Sequence, residues 1–178
     1  KYPIKIEGKV GFGIETVDRM TSTSNRYGLH NIQLKQDSVI IFEQQIDEFA
    51  FHEGRYLNSH IDYETYRRNR RRVQKSFVAP GNRLRIYKKK DGTTSIKPNE
   101  SSTFEYVVSD LNSNSSSLSF KLRGEDFGLA PVAPKETDKE ITFMPFNQRN
   151  TFLKDNLLLD IGKGLLYDDI YFEYEETP

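Results

Sequence analysis

The sequence predicts an all-β protein, and three of its features carry that prediction. Apolar and polar residues alternate over several stretches, turn-forming residues separate these stretches, and a single segment has the composition of a helix. We expect an immunoglobulin-like or jelly-roll β-sandwich over residues 1–124, a linker over 125–139, and a smaller or truncated β unit over 140–178, with one short helix at most.

The first strand is predicted by strict alternation near the start of the chain. Ile4, Ile6, Val10, Phe12 and Ile14 share one parity, while charged residues and glycines occupy the other. Glycines at positions 8, 11 and 13 indicate a bend or bulge, which would let this strand serve two sheets.

Two hairpins and one further strand follow. The segments YGLHNIQLK and VIIFEQQI are separated by the turn-forming pair Asp37 and Ser38. Residues 104–109 and 117–122 alternate on either side of a polar loop over 110–116, and a short strand is expected over 84–87 after the turn at 80–82.

One stretch favours a helix instead. The segment DYETYRRNRRRV, residues 62–73, has good helix formers, an acidic first turn and a basic last turn, which is the polarity that the helix dipole prefers.

The last part of the chain predicts a small β unit. The segment RGEDFGLAPVAPKETDKE has neither the periodicity of a strand nor that of a helix, and it is typical of a linker. Short strands are expected beyond it over 141–143, 157–161 and 170–174. About forty residues seldom support an independent core. This block therefore either docks on the first domain or begins a domain whose remainder is missing.

Composition excludes several classes of site. The 178 residues contain no Cys, so there is no disulfide, thiolate zinc site, iron–sulfur cluster or Cys nucleophile. No apolar run reaches the roughly 18 residues of a membrane helix. The chain does not begin with Met and has no leader pattern, so we expect it to belong to a longer protein.

The arginine run consists of five residues that resemble a nucleic-acid patch: Arg67, Arg68, Arg70, Arg71 and Arg72. Nucleic-acid binding would require a domain that is basic as a whole, whereas the 26 basic residues here are balanced by 26 acidic ones. We expect a solvated or acid-paired helical face and no nucleic-acid partner.

The densest cluster of aromatic and polar side chains is FAFHEGRYLNSHIDYETY, residues 49–66. Aromatic rings can stack on sugars or peptides while neighbouring polar groups fix their orientation, although a packed loop explains the same composition. The candidate ligand surface comprises six residues: Arg55, Tyr56, Asn58, His60, Asp62 and Tyr63. A metal-dependent hydrolase with His52, His60 and Asp62 as ligands is a third hypothesis, although two adjacent ligands do not make a zinc site.

Several segments together resemble a known family. EGKVGFGIETVDR, YGLHNIQL, APGNRLRIYK and above all RYLNSHIDYE and LLYDDIYF are similar to the region downstream of the catalytic domain in lysostaphin-type zinc endopeptidases of the bacterial envelope. The resemblance covers nearly the whole chain. It implies export to the periplasm or cell envelope, with peptidoglycan or a glycan and an upstream catalytic domain of the same protein as partners.

The family's zinc motifs are missing from this chain. His-x-x-x-Asp and His-x-His would supply the metal ligands and an acid–base histidine. The histidines at 30, 52 and 60 are followed four residues later by Leu34, Tyr56 and Glu64, and two residues later by Ile32, Gly54 and Asp62. The resemblance therefore implies an accessory module with no catalytic residue, metal or cofactor of its own, and a carbohydrate- or peptide-binding module is the alternative.

Overall fold

A computed structural model of the chain describes residues 2–19, 26–128 and 141–175. Most of its regular structure is β-strand, which confirms the predicted all-β fold. The chain divides into two compact units, the first comprising Lys1–Val78 with Arg83–Gly128 and the second Ala79–Asn82 with Leu129–Pro178. Most of the predicted linker, 129–139, lies outside the described residues.

The first unit holds twelve strands within the described residues: β1 (Ile4–Ile6), β2 (Lys9–Gly11), β3 (Gly13–Ile14), β4 (Asp18–Arg19), β5 (Arg26–Tyr27), β6 (Asn31–Gln36), β7 (Val39–Gln45), β8 (Gln74–Lys75), β9 (Tyr87–Lys89), β10 (Thr93–Ser95), β11 (Ser101–Ser109) and β12 (Ser115–Gly124). Between β7 and β8 a 3-10 helix (Phe51–Tyr56) leads into α1 (Leu57–His60), and α2 (Tyr63–Asn69) follows. The described chain thus has one more α-helix than predicted.

Six strands form the main sheet, in the order β1-β12-β11-β6-β7-β9. Its neighbours are antiparallel except for β1 and β12. Both predicted hairpins are present, and Asp37 and Ser38 connect β6 to β7 with φ values of 46° and 72°, the left-handed pair that a two-residue hairpin turn requires. The centre of the sheet buries Ile32, Leu34 and Phe42 to at most 1% exposure, and each such side chain contributes about 1.5–3 kcal/mol.

Short strand pairs form a second layer over this sheet, which gives the unit its sandwich-like character. The ring of Phe12, between β2 and β3, lies 4.9 Å from that of Phe104 on β11 and 5.9 Å from that of Phe120 on β12. The hydroxyls of Ser76 and Tyr106 share a 2.6 Å hydrogen bond between the same two layers.

The first predicted strand is divided among three ladders. β1 pairs with β12, β2 with β10 and β3 with β8, so the expectation that this segment serves more than one sheet is confirmed. Gly8 has a φ of 73°, and its left-handed backbone separates β1 from β2.

Several strands differ from the prediction, and two of these differences have a visible physical reason. The strand expected over 84–87 begins only at Tyr87, because Leu84 and Ile86 are buried from an irregular segment instead. In the second unit, the strand Asn150–Lys154 was not predicted, because its inward positions are Asn150 and Phe152 and a buried amide interrupts the apolar alternation.

The described part of the second unit consists of two strand pairs. β13 (Ile141–Met144) pairs with β16 (Ile170–Glu173), and β14 (Asn150–Lys154) pairs with β15 (Leu157–Ile161), all antiparallel. Met144 and Phe152 are buried, and the Phe152 ring lies 5.1 Å from the ring of Phe172 in an edge contact. The Nδ2 of buried Asn150 donates to the Pro145 carbonyl at 2.9 Å, which satisfies its amide.

Gly92 is predicted to be intolerant of a side chain. A Cβ at this position would overlap the carbonyl oxygen of Ser76 and crowd Phe42, so Gly92→Ala must displace backbone. We expect Gly92→Ala to lower the free energy of unfolding by more than about 3 kcal/mol in urea titrations. Gly28→Ala is the control, because its Cβ would meet no atom within 4 Å. Equal stability of the two variants would contradict the packing described.

Candidate functional site

The candidate segment, residues 49–66, divides its side chains between two faces of the 3-10 helix and α1. Every third residue points the same way, as the three residues per turn of a 3-10 helix require. The inner face comprises buried side chains: Glu53, Tyr56, Ser59 and His60. The outer face comprises exposed side chains: Phe51, His52, Arg55 and Asn58. The inner face is therefore mostly polar, and hydrogen bonds hold it in place.

Glu53 is the charged anchor of the inner face. Its carboxylate accepts from Nε and Nη2 of Arg85 at 3.1 and 3.2 Å, and from the backbone N–H groups of Arg85 and Ala50 at 3.2 and 3.0 Å. The side chain is 4% exposed, whereas that of Arg85 is 60% exposed. The Arg85 hydrogen bond, followed by that from Ala50, lowers the pKa of Glu53 from 4.5 to about 2.

His60 lies at the centre of a buried hydrogen-bond network. Its Nε2 is 3.2 Å from Oε1 of Gln74, and its Nδ1 is 3.0 Å from the hydroxyl of Tyr87. Because an amide oxygen can only accept, Nε2 carries the proton and Nδ1 accepts from Tyr87. The Nε2 of Gln44 donates to the same Gln74 oxygen at 2.9 Å. Both nitrogens of a neutral imidazole are therefore engaged.

Burial lowers the pKa of His60 below its ordinary value of 6.5, and nearby Lys75 acts in the same direction, whereas the hydrogen bond that His60 donates to Gln74 raises it. The site thus favours the neutral imidazole. A neutral histidine without a free nitrogen supplies neither a general base nor a metal ligand in this arrangement.

Tyr56 and Arg55 are linked to each other. Nη2 of Arg55 donates to the Tyr56 hydroxyl at 2.6 Å, and the guanidinium carbon lies 4.7 Å from the centre of the Tyr56 ring. The Tyr56 side chain is buried while Arg55 is exposed, so this pair connects the inner face to the outer one.

Asp62 has a structural role at the start of α2. Its carboxylate accepts from the Thr65 N–H at 3.3 Å and from the Thr65 hydroxyl at 2.9 Å, which is an N-cap. Burial raises the pKa of Asp62, but the Thr65 hydrogen bonds, the charge of Lys75 and the Glu64 N–H together bring the pKa below its usual range. Tyr63, the next residue, is 61% exposed.

α2 is shorter than the predicted helix over 62–73. It ends at Asn69 and is followed by Arg70, whose φ of 58° gives a left-handed C-cap. The arginine run is exposed, and several of its members contact other residues of the chain. Arg68 binds Glu64 one turn earlier and Arg71 binds Glu15, both at 2.7 Å. These are acid-paired surface charges of the kind that the sequence predicts.

The structure therefore separates the six predicted ligand residues. Arg55, Asn58 and Tyr63 are exposed, Tyr56 and His60 are buried, and Asp62 caps a helix. Sequence reasoning missed the partners that fix the inner face: Gln44, Gln74, Arg85 and Tyr87. These residues come from β7, β8, β9 and the segment that leads into β9, and no local pattern links them to His60 or Glu53.

The metal-site hypothesis gains no support from the geometry. Within the ranges 2–19, 26–128 and 141–175, no three His, Cys, Asp or Glu side chains are grouped as ligands for an ion. His52 lies on the outer face, His60 on the inner face, and the Asp62 carboxylate is committed to Thr65.

Comparisons with known proteins leave the chain without an assigned family. A scan against protein-family models, a search of curated proteins and a search of solved structures each returned no match. Neither described α-helix, of four and seven residues, has the length or hydrophobicity to cross a bilayer.

Acid titration tests the Glu53 anchor. Its pKa is lower in the folded than in the unfolded chain, so its stabilisation is complete above pH 4.5 and is lost as the pH falls towards about 2. We expect Glu53→Gln to be destabilised at neutral pH and to lose less stability over that acid window than the parent protein. Denaturant unfolding at several pH values measures both effects. Glu48→Gln is the matched control, because Glu48 contacts the same Arg85 at 3.6 Å with its side chain 81% exposed. If both variants behave alike, the buried carboxylate is not an anchor.

The His60 network gives a second pH dependence. In the unfolded chain His60 binds a proton below pH 6.5, whereas in the folded protein it stays neutral to a lower pH. The free energy of unfolding therefore falls as the pH drops from 6.5 towards the lower pKa of the folded state. Above pH 6.5, His60→Gln should unfold at a lower denaturant concentration than the parent protein. As the pH falls below 6.5, its free energy of unfolding should change less than that of the parent. Exposed His52→Gln should retain the parent's profile. An unchanged pH profile in His60→Gln would contradict a neutral buried imidazole.

Proposed function

We propose that this chain is a noncatalytic accessory module of a cell-envelope protein of the lysostaphin-type peptidase kind, and that it contacts the cell wall or positions a catalytic domain. The observation that carries the proposal is the division of the candidate segment into two faces. Glu53, His60 and Asp62 have acid–base side chains, and each of them is committed to hydrogen bonds within the chain. The outer face offers a partner aromatic and hydrogen-bonding surface together with the exposed imidazole of His52.

The outer face has the chemistry of a recognition surface. The Phe51 side chain is fully exposed at 102%. Tyr63 lies outside this face, at the start of α2, and adds a second exposed ring at 61%. Exposed aromatic rings can stack on the apolar faces of sugar rings or on peptide side chains. Arg55 and Asn58 add exposed donors and an acceptor for hydroxyl, amide or carboxylate groups.

The rigid backing of this face supports the same proposal. A ligand that stacks on a preformed surface avoids the entropic cost of ordering it. The 3-10 helix and α1 are fixed from beneath by Glu53 and His60, and the Ile61–Gln74 bridge ties the end of α1 to β8. The outer face is thus presented by an ordered segment.

A carbohydrate- or peptide-binding module is the second candidate, and the same four exposed side chains favour it. The two candidates differ in what they bind. A binding module in its own right should recognise soluble glycan or stem-peptide fragments, whereas a positioning module should bind intact wall or the catalytic domain of its parent protein and ignore short fragments.

Titration of the chain with peptidoglycan fragments tests the outer face. We expect amide shifts at residues 51–63, and about tenfold weaker binding in the Phe51→Ala, Tyr63→Ala double variant, which corresponds to about 1.4 kcal/mol. Leu111→Ala, another exposed apolar side chain at 79%, is the matched control and should bind as the parent does. Sedimentation with purified wall sacculi extends the assay to the intact polymer. Binding to sacculi that is unaffected by the double variant would place the contact elsewhere on the module.

A further inference from the structure

The outer edge of β12 is open over most of its length. β1 pairs only with Leu122–Gly124, and Pro3, which precedes β1, has no N–H to extend the ladder. Among the described residues, no strand pairs with the outer edge of β12 before Leu122. The edge that remains is the sequence SSSLSFK, residues 115–121.

The hydrogen bonds of β12 show which of its backbone groups face outward. Gly124 donates inward to Glu100 at 3.0 Å, and Glu125 donates outward to Ile6 at 2.8 Å. Orientation alternates along a strand, so the N–H and C=O of Ser117 and Ser119 point away from β11. These four groups form an unoccupied template for another strand.

The opposite edge of the same sheet is protected. β9 has only three residues, and Lys88, Lys89 and Lys90 place consecutive charges along it. Short strands and lysines are the usual devices that prevent sheet edges from pairing with other chains. The β12 edge has fewer of them: residues 115–120 include no charge, no proline and no register shift against β11, and Lys121 at the end of the open edge is its single lysine.

An apolar groove of about 440 Å³ lies beside this edge. Its lining residues are Tyr2, Ile4, Thr103, Leu118, Ser119, Phe120 and Lys121. Ile4 and Leu118 are 57% and 53% exposed, although Phe120 on the same face of β12 packs against Phe12. The apolar stripe of the core thus continues out to the open edge.

We propose that the β12 edge binds a second copy of this chain, antiparallel and centred on Leu118. In this register Ser117 of each copy lies opposite Ser119 of the other, and the outward N–H and C=O groups form four hydrogen bonds across the dimer axis. The two Leu118 residues form a non-hydrogen-bonded pair, the arrangement that brings side chains closest. Lys121 of each copy lies opposite Ser115 of the other, which keeps the two ammonium groups apart. The surface is therefore self-complementary, as a two-fold contact requires.

The dimer should be weak, because one short strand pair and one groove cover less surface than a permanent interface does. Association is expected at micromolar concentrations or above, and sedimentation velocity over a concentration series is the appropriate measurement. We expect the weight-average sedimentation coefficient of the full chain to rise from the monomer value to the dimer value over that series.

Two substitutions at Ser119 separate the backbone from the side chain. Ser119→Pro removes an outward N–H without removing a bond to β11, since Ser119 and Glu105 are a non-hydrogen-bonded pair. Ser119→Ala keeps the N–H. We expect Ser119→Pro to weaken dimerisation at least tenfold and Ser119→Ala to leave it unchanged, with circular dichroism confirming that both are folded.

A third substitution keeps the test decisive if proline disturbs the hairpin. Leu118→Lys places two positive charges opposite each other at the centre of the proposed dimer, and should also give a monomer. Leu158→Ser is the control for exposed apolar surface, because Leu158 is 64% exposed in the second unit. A chain that stays monomeric throughout the series would overturn the proposal. So would a dimer that persists in both Ser119→Pro and Leu118→Lys.

Discussion

The close approach of Ser76 to the main sheet is the constraint on which the first unit depends. Its N–H donates to the Phe12 carbonyl at 2.8 Å, its hydroxyl is bonded to Tyr106, and its carbonyl lies where only a glycine, Gly92, leaves room. Burial raises the pKa of Tyr106 to about 12, which keeps its hydroxyl neutral in this contact. Three segments distant in sequence therefore meet at one buried serine that is 1% exposed.

The contacts around Ser76 also position the candidate site. Gln74 lies two residues before Ser76 on β8, and it holds the imidazole of His60. Asp62 donates its N–H to the Val73 carbonyl at 2.9 Å, so the start of α2 is fixed to the same segment. A buried polar group that is left without a partner costs about 1–3 kcal/mol, and the inner face is made largely of buried polar groups. Their partners therefore specify a single placement of the 3-10 helix and α1, and with it the orientation of the outer face.

How much of the fold and of the candidate site could be predicted depends on how far apart in the sequence the interacting residues lie. Hairpins are local: alternation in β6, β7, β11 and β12 and the left-handed pair at Asp37 and Ser38 are visible in a few residues, so they were predicted correctly. The two-sided segment was not predicted, because a buried face made of Glu53, Ser59 and His60 has no apolar period to detect. The site itself depends on Gln74, Arg85 and Tyr87, which become neighbours only through the tertiary fold. Composition therefore marks residues 49–66 as a candidate segment but cannot distinguish its exposed residues from its buried ones.

The parallel pairing of β1 with β12 has a consequence for how the chain acquires its structure. Ile4 and Leu122 are neighbours in the sheet although more than a hundred residues separate them in the sequence. Closing so long a loop is entropically costly before any contact rewards it, and sheets with such pairings fold slowly. During synthesis, β1 has no strand partner until β12 has left the ribosome. The β6–β7 and β11–β12 hairpins can form as soon as they emerge, so the start of the chain is the last part of the main sheet to join it.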